Sequence, residues 1–305
     1  MQTYNTKIID YGNGQKQVIT YSHPITLLED GEQKKQKYDL SYFSEVLDVA
    51  LPDETELEKK ALHSYMTSCN RTKNEVYKIA RSNSWQWFIT FTFDKDKVSD
   101  RTDYDALVKK VGIYFNNWKK RKCPGMKYLF VPEQHKKIEK NGLRAWHFHG
   151  LLANADGLTF IKLSDDEKRY YDINTDDDVY RIKEYKLGFC TATKVKDMTK
   201  VSHYITKYIT KAVSAVLKNK RRYIYSRNCD KPMEYKYMCM THNDSINHDM
   251  IDDNVYLSDL VDMSKVVYKS KKVIDNEYIH NEYNYYELQG DFSPVIQKNK
   301  LVRKE

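Results

Sequence analysis

A regular alternation of apolar with mostly polar residues over residues 85–94 is the feature that most constrains the fold of this chain. Its apolar positions are Trp85, Trp87, Ile89, Phe91 and Phe93. Because successive side chains of a β-strand point to opposite faces of a sheet, this period of two predicts a strand with one buried face. Such a strand needs partner strands and a covering layer from the rest of the chain.

Helices and further strands are predicted on both sides of this strand. We expect helices over about 53–67, 103–121 and 199–218, and Thr102 with Asp105 imitates a capping box at the start of the second. We expect strands over 17–21, 126–134, 143–154, 188–195 and 222–225, with 126–134 and 143–154 joined as a hairpin. This order does not alternate as in a parallel α/β fold. It favours an α+β fold with a mostly antiparallel central sheet flanked by helices.

The two ends of the chain have weaker periodicity than its middle. We therefore expect an N-terminal accessory segment over 1–75, a central functional domain over 76–235 and a C-terminal polar segment with a basic tail over 236–305. The acidic stretch 164–178 is predicted to be a surface insertion.

Composition limits the class of protein. The chain has 305 residues and no apolar run near the roughly 20 residues of a membrane span, and its first residues lack a signal-peptide layout. Its five cysteines form no C-x-x-C pair, so neither a zinc knuckle nor a disulfide framework is predicted. We expect a cytoplasmic protein, in the host cell if phage-encoded, with no membrane partner, and leave its oligomeric state open.

Basic residues suggest a polyanionic partner. Lysine and arginine total 51 against 43 acidic residues, a formal net charge of +8, and many of the 26 tyrosines lie among the cations of the central region. Cations interleaved with aromatic rings suit single-stranded nucleic acid, since phosphates are neutralised while bases stack. The alternative is a solvated, lysine-rich surface. The candidate DNA-binding residues are Lys119, Lys120, Arg121, Arg221, Arg222 and Arg227.

Two histidines on one predicted strand suggest half of a metal site. His147 and His149 are separated by Phe148, so both imidazoles project from the same face. Glu133, on the strand hairpinned to this one, is a candidate third ligand, and a set with open coordination positions is what a catalytic metal needs. Gln134 and His135 are the neighbouring alternatives, and His135 shares a face with Glu133. Incidental histidines on a half-exposed strand remain the plain alternative.

A tyrosine–lysine repeat forms the second candidate constellation. On the predicted helix, Tyr204 and Tyr208 lie one turn apart, as do Lys207 and Lys211. We expect the tyrosines at the edge of the apolar stripe, accessible from a cleft. A tyrosine near pKa 10 is a weak nucleophile at neutral pH, and the lysines are placed to stabilise phenolate or phosphate charge. Both tyrosines simply widening the core stripe is the alternative.

Together these residues resemble the HUH endonucleases, and within them the two-tyrosine rolling-circle replication initiators of phages and plasmids. The resemblance covers roughly residues 84–232. It rests on three motifs: Phe88-Ile89-Thr90-Phe91-Thr92-Phe93, His147-Phe148-His149-Gly150 and Tyr204-x-x-Lys207-Tyr208-x-x-Lys211. It implies a palm similar to RRM-like domains, with the metal site on the sheet and the nucleophilic tyrosines on a helix.

The resemblance also implies a reaction. Mg²⁺ or Mn²⁺ on His147, His149 and Glu133 would polarise a phosphate of single-stranded origin DNA, and a tyrosine would attack it. A 5′-phosphotyrosine link and a free 3′-OH would result. Imidazoles alone also suit Zn²⁺, so this choice of metal follows from the resemblance. The absence of a G-x-x-x-x-G-K-[ST] motif implies a host helicase, alongside a host polymerase.

Other functions compete with replication initiation. A transposase or plasmid-mobilisation relaxase would use the same chemistry. A metal-dependent phosphohydrolase would want a further His or Asp soon after the histidines, and the sequence has none there. A non-catalytic nucleic-acid-binding module would not need paired histidines or paired tyrosine–lysine steps.

Overall fold

The computed structural model describes residues 2–27, 56–211, 220–239, 257–260, 262–276 and 279–289. They divide into two compact units, one within residues 1–63 and 231–305 and the other within residues 64–230. The three-segment division expected from the sequence stays a prediction.

The strands and helices are as follows, in chain order. The strands are β1 Gln2–Asp10, β2 Gln15–Leu27, β3 Trp87–Phe93, β4 Lys127–Ile138, β5 Arg144–Ala153, β6 Phe160–Lys162, β7 Tyr180–Ile182, β8 Gly188–Lys194, β9 Ile224–Tyr225, β10 Met233–Tyr237, β11 Val266–Asn276 and β12 Ile279–Gln289. The α-helices are α1 Glu56–Arg81, α2 Tyr104–Arg121, α3 Asp165–Tyr170, α4 Met198–Lys211 and α5 Leu257–Leu260, and a 3-10 turn spans Met263–Lys265.

The first unit is built on a five-stranded sheet in the order β10-β1-β2-β12-β11. All of its neighbouring strands are antiparallel. Ile8 and Val18 of the first hairpin pack with Leu260 and Leu288 in its core. Both ends of the chain therefore contribute strands to one sheet, although the sequence from about residue 235 onward has no clear period.

The second unit is built on a seven-stranded antiparallel sheet in the order β6-β7-β8-β3-β5-β4-β9. One face packs on α2 through an aromatic core that includes Phe91, Phe115 and Phe148. The other face packs on α1 and α4, where Ile79 and Ile205 are buried. The expected α+β architecture with a mostly antiparallel sheet is confirmed, as is the hairpin of β4 and β5. None of the helices described is long and apolar enough to cross a bilayer.

The predicted cap of α2 was wrong. The amide and hydroxyl of Thr102 both donate to Asp100 at 2.7 Å, so Thr102 cannot cap the helix. Asp103 is the cap instead, and its carboxylate accepts from the amide of Ala106 at 3.1 Å.

Two predicted helices have different ends in the structure. The helix expected over 53–67 continues to Arg81, because Val76, Ile79 and Ala80 are buried against the sheet. Its proposed cap, Asp53, lies outside the described residues. The helix expected over 199–218 corresponds to α4, and residues 212–218 of that prediction also lie outside them.

Candidate active site

Three neighbouring strands bring the candidate metal ligands onto one face of the sheet. His147 pairs with Thr92 on β3 and with Glu133 on β4, and His149 pairs with Thr90. Since paired residues of adjacent strands project to the same side, these side chains form two rows across the sheet. The face is the one that α4 covers in part.

The two threonines orient the two histidines. Thr90 Oγ1 lies 3.0 Å from His149 Nδ1, and Thr92 Oγ1 lies 3.4 Å from His147 Nδ1. The imidazole planes are 9° from parallel, with ring centroids 5.9 Å apart. Each ring is thus held through Nδ1, which leaves Nε2 as the metal-binding nitrogen; such a partner on the second nitrogen is typical of metal-ligating histidines.

Glu133 and His135 complete the cluster. Glu133 Oε2 lies 2.8 Å from His149 Nε2, and the ring of His135 lies 3.4 Å from that of His147, centroid to centroid. Burial, together with the neighbouring His135 and His149, lowers the pKa of His147 to about 3. Burial and Arg101 also lower the pKa of His135. Both rings are therefore neutral at pH 7, the form that binds metal.

The donor set is suitable for a divalent ion in kind, although its atoms are not arranged around one point. Within the described residues, no three His, Cys, Asp or Glu side chains form a ready metal-ligand group. Two ligands at about 2.1 Å from an ion, at octahedral or tetrahedral angles, stand about 3.0–3.4 Å apart. Glu133 Oε2 and His149 Nε2 are 2.8 Å apart, so a shift of a few tenths of an ångström in one side chain would admit an ion.

Helix α4 places both tyrosines beside the histidine strand. Ile205 and Ile209 anchor the helix in the core, and the ring of Tyr208 stacks on His149 with centroids 3.9 Å apart. Tyr208 donates a 2.8 Å hydrogen bond to the hydroxyl of Tyr204. The candidate ligands and the candidate nucleophiles thus form one continuous cluster.

The two tyrosines have different environments. Tyr204 is 44% exposed, whereas Tyr208 is 6% exposed. Positions four apart on an α-helix differ by roughly 40° around its axis, which turns Tyr208 from the edge into the buried stripe. The expectation that both tyrosines lie at the edge was therefore wrong for Tyr208. Burial raises the pKa of Tyr208, and its hydrogen bond to Tyr204 raises the pKa further, so it stays a protonated donor.

Phe88 links the two halves of the cluster. Its ring centroid lies 5.3 Å from Tyr204, 6.3 Å from Tyr208 and 6.4 Å from His149. Phe88, Thr90 and Thr92 had no assigned role in the sequence-based site. The alternation in β3 that places them on the face opposite Ile89 and Phe91 is the signal that could have identified them.

The lysines and arginines of the predicted site are dispersed. Lys207 Nζ lies 5.7 Å from the Tyr204 ring centroid, and Lys211 ends α4 with its side chain outside the described atoms. Lys119, Lys120 and Arg121 form the last turn of α2, the helix on the opposite face of the sheet from the histidines.

The second group of predicted DNA-binding residues follows the undescribed segment 212–219. Arg222 donates to Ser68 at 2.9 Å, Arg221 accepts a hydrogen bond at its carbonyl from Tyr104, and Arg227 is exposed. The DNA-binding role of both groups stays a prediction.

Comparison with known proteins gives one match. No curated protein and no solved structure matches the chain. Residues 86–213, which include β3, the histidine strand and α4, match the model of a family described as replication-associated protein ORF2. The candidate active site therefore lies wholly inside the part of the chain that is similar to a replication-associated family, and this supports a role in replication initiation.

Proposed function

We propose that residues 64–230 form a metal-dependent endonuclease and strand transferase that nicks single-stranded DNA at an origin and initiates rolling-circle replication. The observation that supports this most directly is the contact between α4 and β5. There the Tyr208 ring stacks on His149 at 3.9 Å and the Tyr208 hydroxyl bonds to Tyr204. The family match over 86–213 favours replication initiation over a transposase, a plasmid-mobilisation relaxase or a non-catalytic binding module.

The proposed cofactor is Mg²⁺ or Mn²⁺, held by His147, His149 and Glu133. When bound, the ion supplies positive charge that polarises the scissile phosphate. Thr90 and Thr92 keep both imidazoles in a ligating orientation through their Nδ1 atoms. His135 is the neighbouring group able to support or replace Glu133.

Tyr204 is the nucleophile we assign to the first cleavage. Its hydroxyl is accessible and already accepts a hydrogen bond from Tyr208, so a donor is in place for the negative charge that develops as the proton of Tyr204 passes to solvent. The bond from Tyr204 Oη to phosphorus forms while the bond from phosphorus to O3′ breaks. O3′ takes up a proton and becomes the free 3′-OH that primes a host polymerase.

Strand rejoining is the reverse displacement. A 3′-OH attacks the phosphotyrosine, and the phosphodiester is restored without a nucleotide triphosphate because the covalent link retains its energy. Tyr208 is the second nucleophile in this scheme, one turn from the first, and Lys207 and Lys211 add positive charge along the same helix. Unwinding of the duplex is assigned to a host helicase.

A covalent-adduct assay tests the proposal. The full-length protein is incubated with a pool of single-stranded oligonucleotides of random sequence and Mn²⁺, and adducts that survive denaturation are counted on a gel. We expect an adduct with Mn²⁺, none with EDTA, and none with His147→Ala or the double variant Tyr204→Phe/Tyr208→Phe. No adduct with the parent protein, or an undiminished adduct with the double variant, would contradict the mechanism.

A further inference from the structure

A cavity of about 570 Å³ opens beside Tyr204, between β8 and the first turns of α4. Phe88 and Thr193 form its floor on the sheet, and Tyr204 forms part of its wall. It thus lies on the side of Tyr204 that faces β8, while the candidate metal ligands lie on β5 and β4. This volume is within the range of small-molecule binding sites.

Positive charge predominates around this cavity. Four lysines line it, and two aspartates accompany them. Lys196 pairs with Asp177, and Lys200 Nζ lies 3.7 Å from Asp197. The four side chains, which are all exposed, are Lys194, Lys196, Lys200 and Lys207. A lysine ammonium on an exposed, flexible stem suits a phosphate of a polyanion.

Aromatic surface accompanies this charge. The Phe88 and Tyr204 rings meet edge to face with centroids 5.3 Å apart, and both line the cavity. Aromatic rings beside cations are the combination that binds unpaired bases by stacking while the backbone is neutralised. The cavity therefore has the chemistry of a single-stranded nucleotide site.

We propose that this cavity binds the nucleotide whose 5′-phosphate becomes bonded to Tyr204; this rests on the proposed function. In an in-line displacement O3′ departs on the side opposite Tyr204 Oη, so the strand that ends in the 3′-OH leaves away from the tyrosine. The nucleotide that remains attached must lie beside the tyrosine ring, where this cavity is. The lysines then hold the 5′ end for rejoining after the 3′ end has left.

A binding assay without cleavage tests the site. Fluorescein-labelled, 15-nucleotide oligodeoxythymidylate is titrated with full-length protein in EDTA over a range of salt, followed by anisotropy. We expect Lys194→Ala/Lys200→Ala to bind about tenfold more weakly, with the slope of log K against log salt reduced by about 0.7 for each phosphate that is no longer neutralised. The matched control is Lys119→Ala/Lys120→Ala, which removes two lysines on the opposite face of the sheet and should bind as the parent.

Two outcomes would overturn the proposal. One is unchanged binding by Lys194→Ala/Lys200→Ala. The other is an equal loss in the α2 control, because net charge alone would then explain the effect. If the parent protein forms no covalent adduct at all, the proposed function fails. Failure of the cavity is instead an intact adduct assay with unchanged oligonucleotide binding in the lysine variant.

The side of the cleaved bond is tested with the two halves of an oligonucleotide that forms the adduct. We expect Lys194→Ala/Lys200→Ala to weaken binding of the 5′-phosphorylated half and to leave the half ending in 3′-OH unchanged. The reverse pattern would overturn the assignment.

Discussion

At the scale of single residues, the hydrogen bond between the two tyrosines makes them unequal. Tyr208 is buried on His149 and donates, whereas Tyr204 is exposed and accepts. Tyr204→Phe should abolish the first cleavage. Tyr208→Phe should slow it by about 10- to 100-fold, because one hydrogen bond to a charged group contributes about 1.5–3 kcal/mol. Single-turnover cleavage of one labelled oligonucleotide measures both. The opposite ranking of the two variants would refute this assignment.

The threonines beneath the histidines provide a second prediction at this scale. Thr90→Val/Thr92→Val removes the hydroxyls at both Nδ1 atoms with little change of shape. Mn²⁺ binding, measured by calorimetry, should weaken by about 10- to 100-fold, as for other partners of metal ligands. Thr191→Val is the matched control, since Thr191 pairs with Thr90 on the same face of β8. Equal losses in both variants would mean that the hydroxyls do not orient the ligands.

Sequence periodicity predicted which candidate ligands share a face, but not the details of their contacts. The period of two placed His147 and His149 together, and the hairpin placed Glu133 opposite His147, as the register has it. The 2.8 Å contact of Glu133 instead reaches the diagonal neighbour His149. Burial of Tyr208 depends on how α4 rotates against β4 and β5, which no local pattern encodes.

At the scale of elements, β5 can pair closely with β4 because residue 150 has no side chain. A Cβ at Gly150 would lie 2.2 Å from the Phe130 ring, in the tightly packed core under α2. Gly150→Ala should therefore destabilise the protein by about 1–3 kcal/mol, measured by chemical denaturation.

Gly112 is the matched control for this prediction. It lies in α2, and a Cβ there would meet nothing within 4 Å. Gly112→Ala should stabilise the protein by about 0.5–1 kcal/mol, because alanine loses less conformational freedom in a helix. Equal effects of the two substitutions would contradict the proposed role of the Gly150–Phe130 contact.

Elements were predictable where the period was strong and local. The strands of the second unit and both long helices beside the site follow from apolar periodicity. The strands β11 and β12 were not predicted, since their tyrosine-, lysine- and asparagine-rich residues show no apolar alternation. Their pairing depends on β2, more than 200 residues earlier in the chain by the register Tyr283 with Tyr21.

At the scale of the whole molecule, the second unit contains every described residue of the candidate site. Both of its hydrophobic cores also lie within residues 64–230. A fragment of residues 64–230 should therefore unfold in a single cooperative transition and still form the covalent adduct. Circular dichroism on heating measures the transition. A fragment that folds cooperatively but forms no adduct would show that the first unit is needed for catalysis.

The central claim is that Tyr204 becomes covalently linked to DNA, and peptide mapping of the adduct tests it most directly. Trypsin cleaves after Lys200, Lys207 and Lys211, which places the two tyrosines in separate peptides, 201–207 and 208–211. After nuclease trimming, mass spectrometry should find the nucleotide on the peptide that contains Tyr204 after the first cleavage. A nucleotide on neither peptide, or on the Tyr208 peptide alone, would contradict the account.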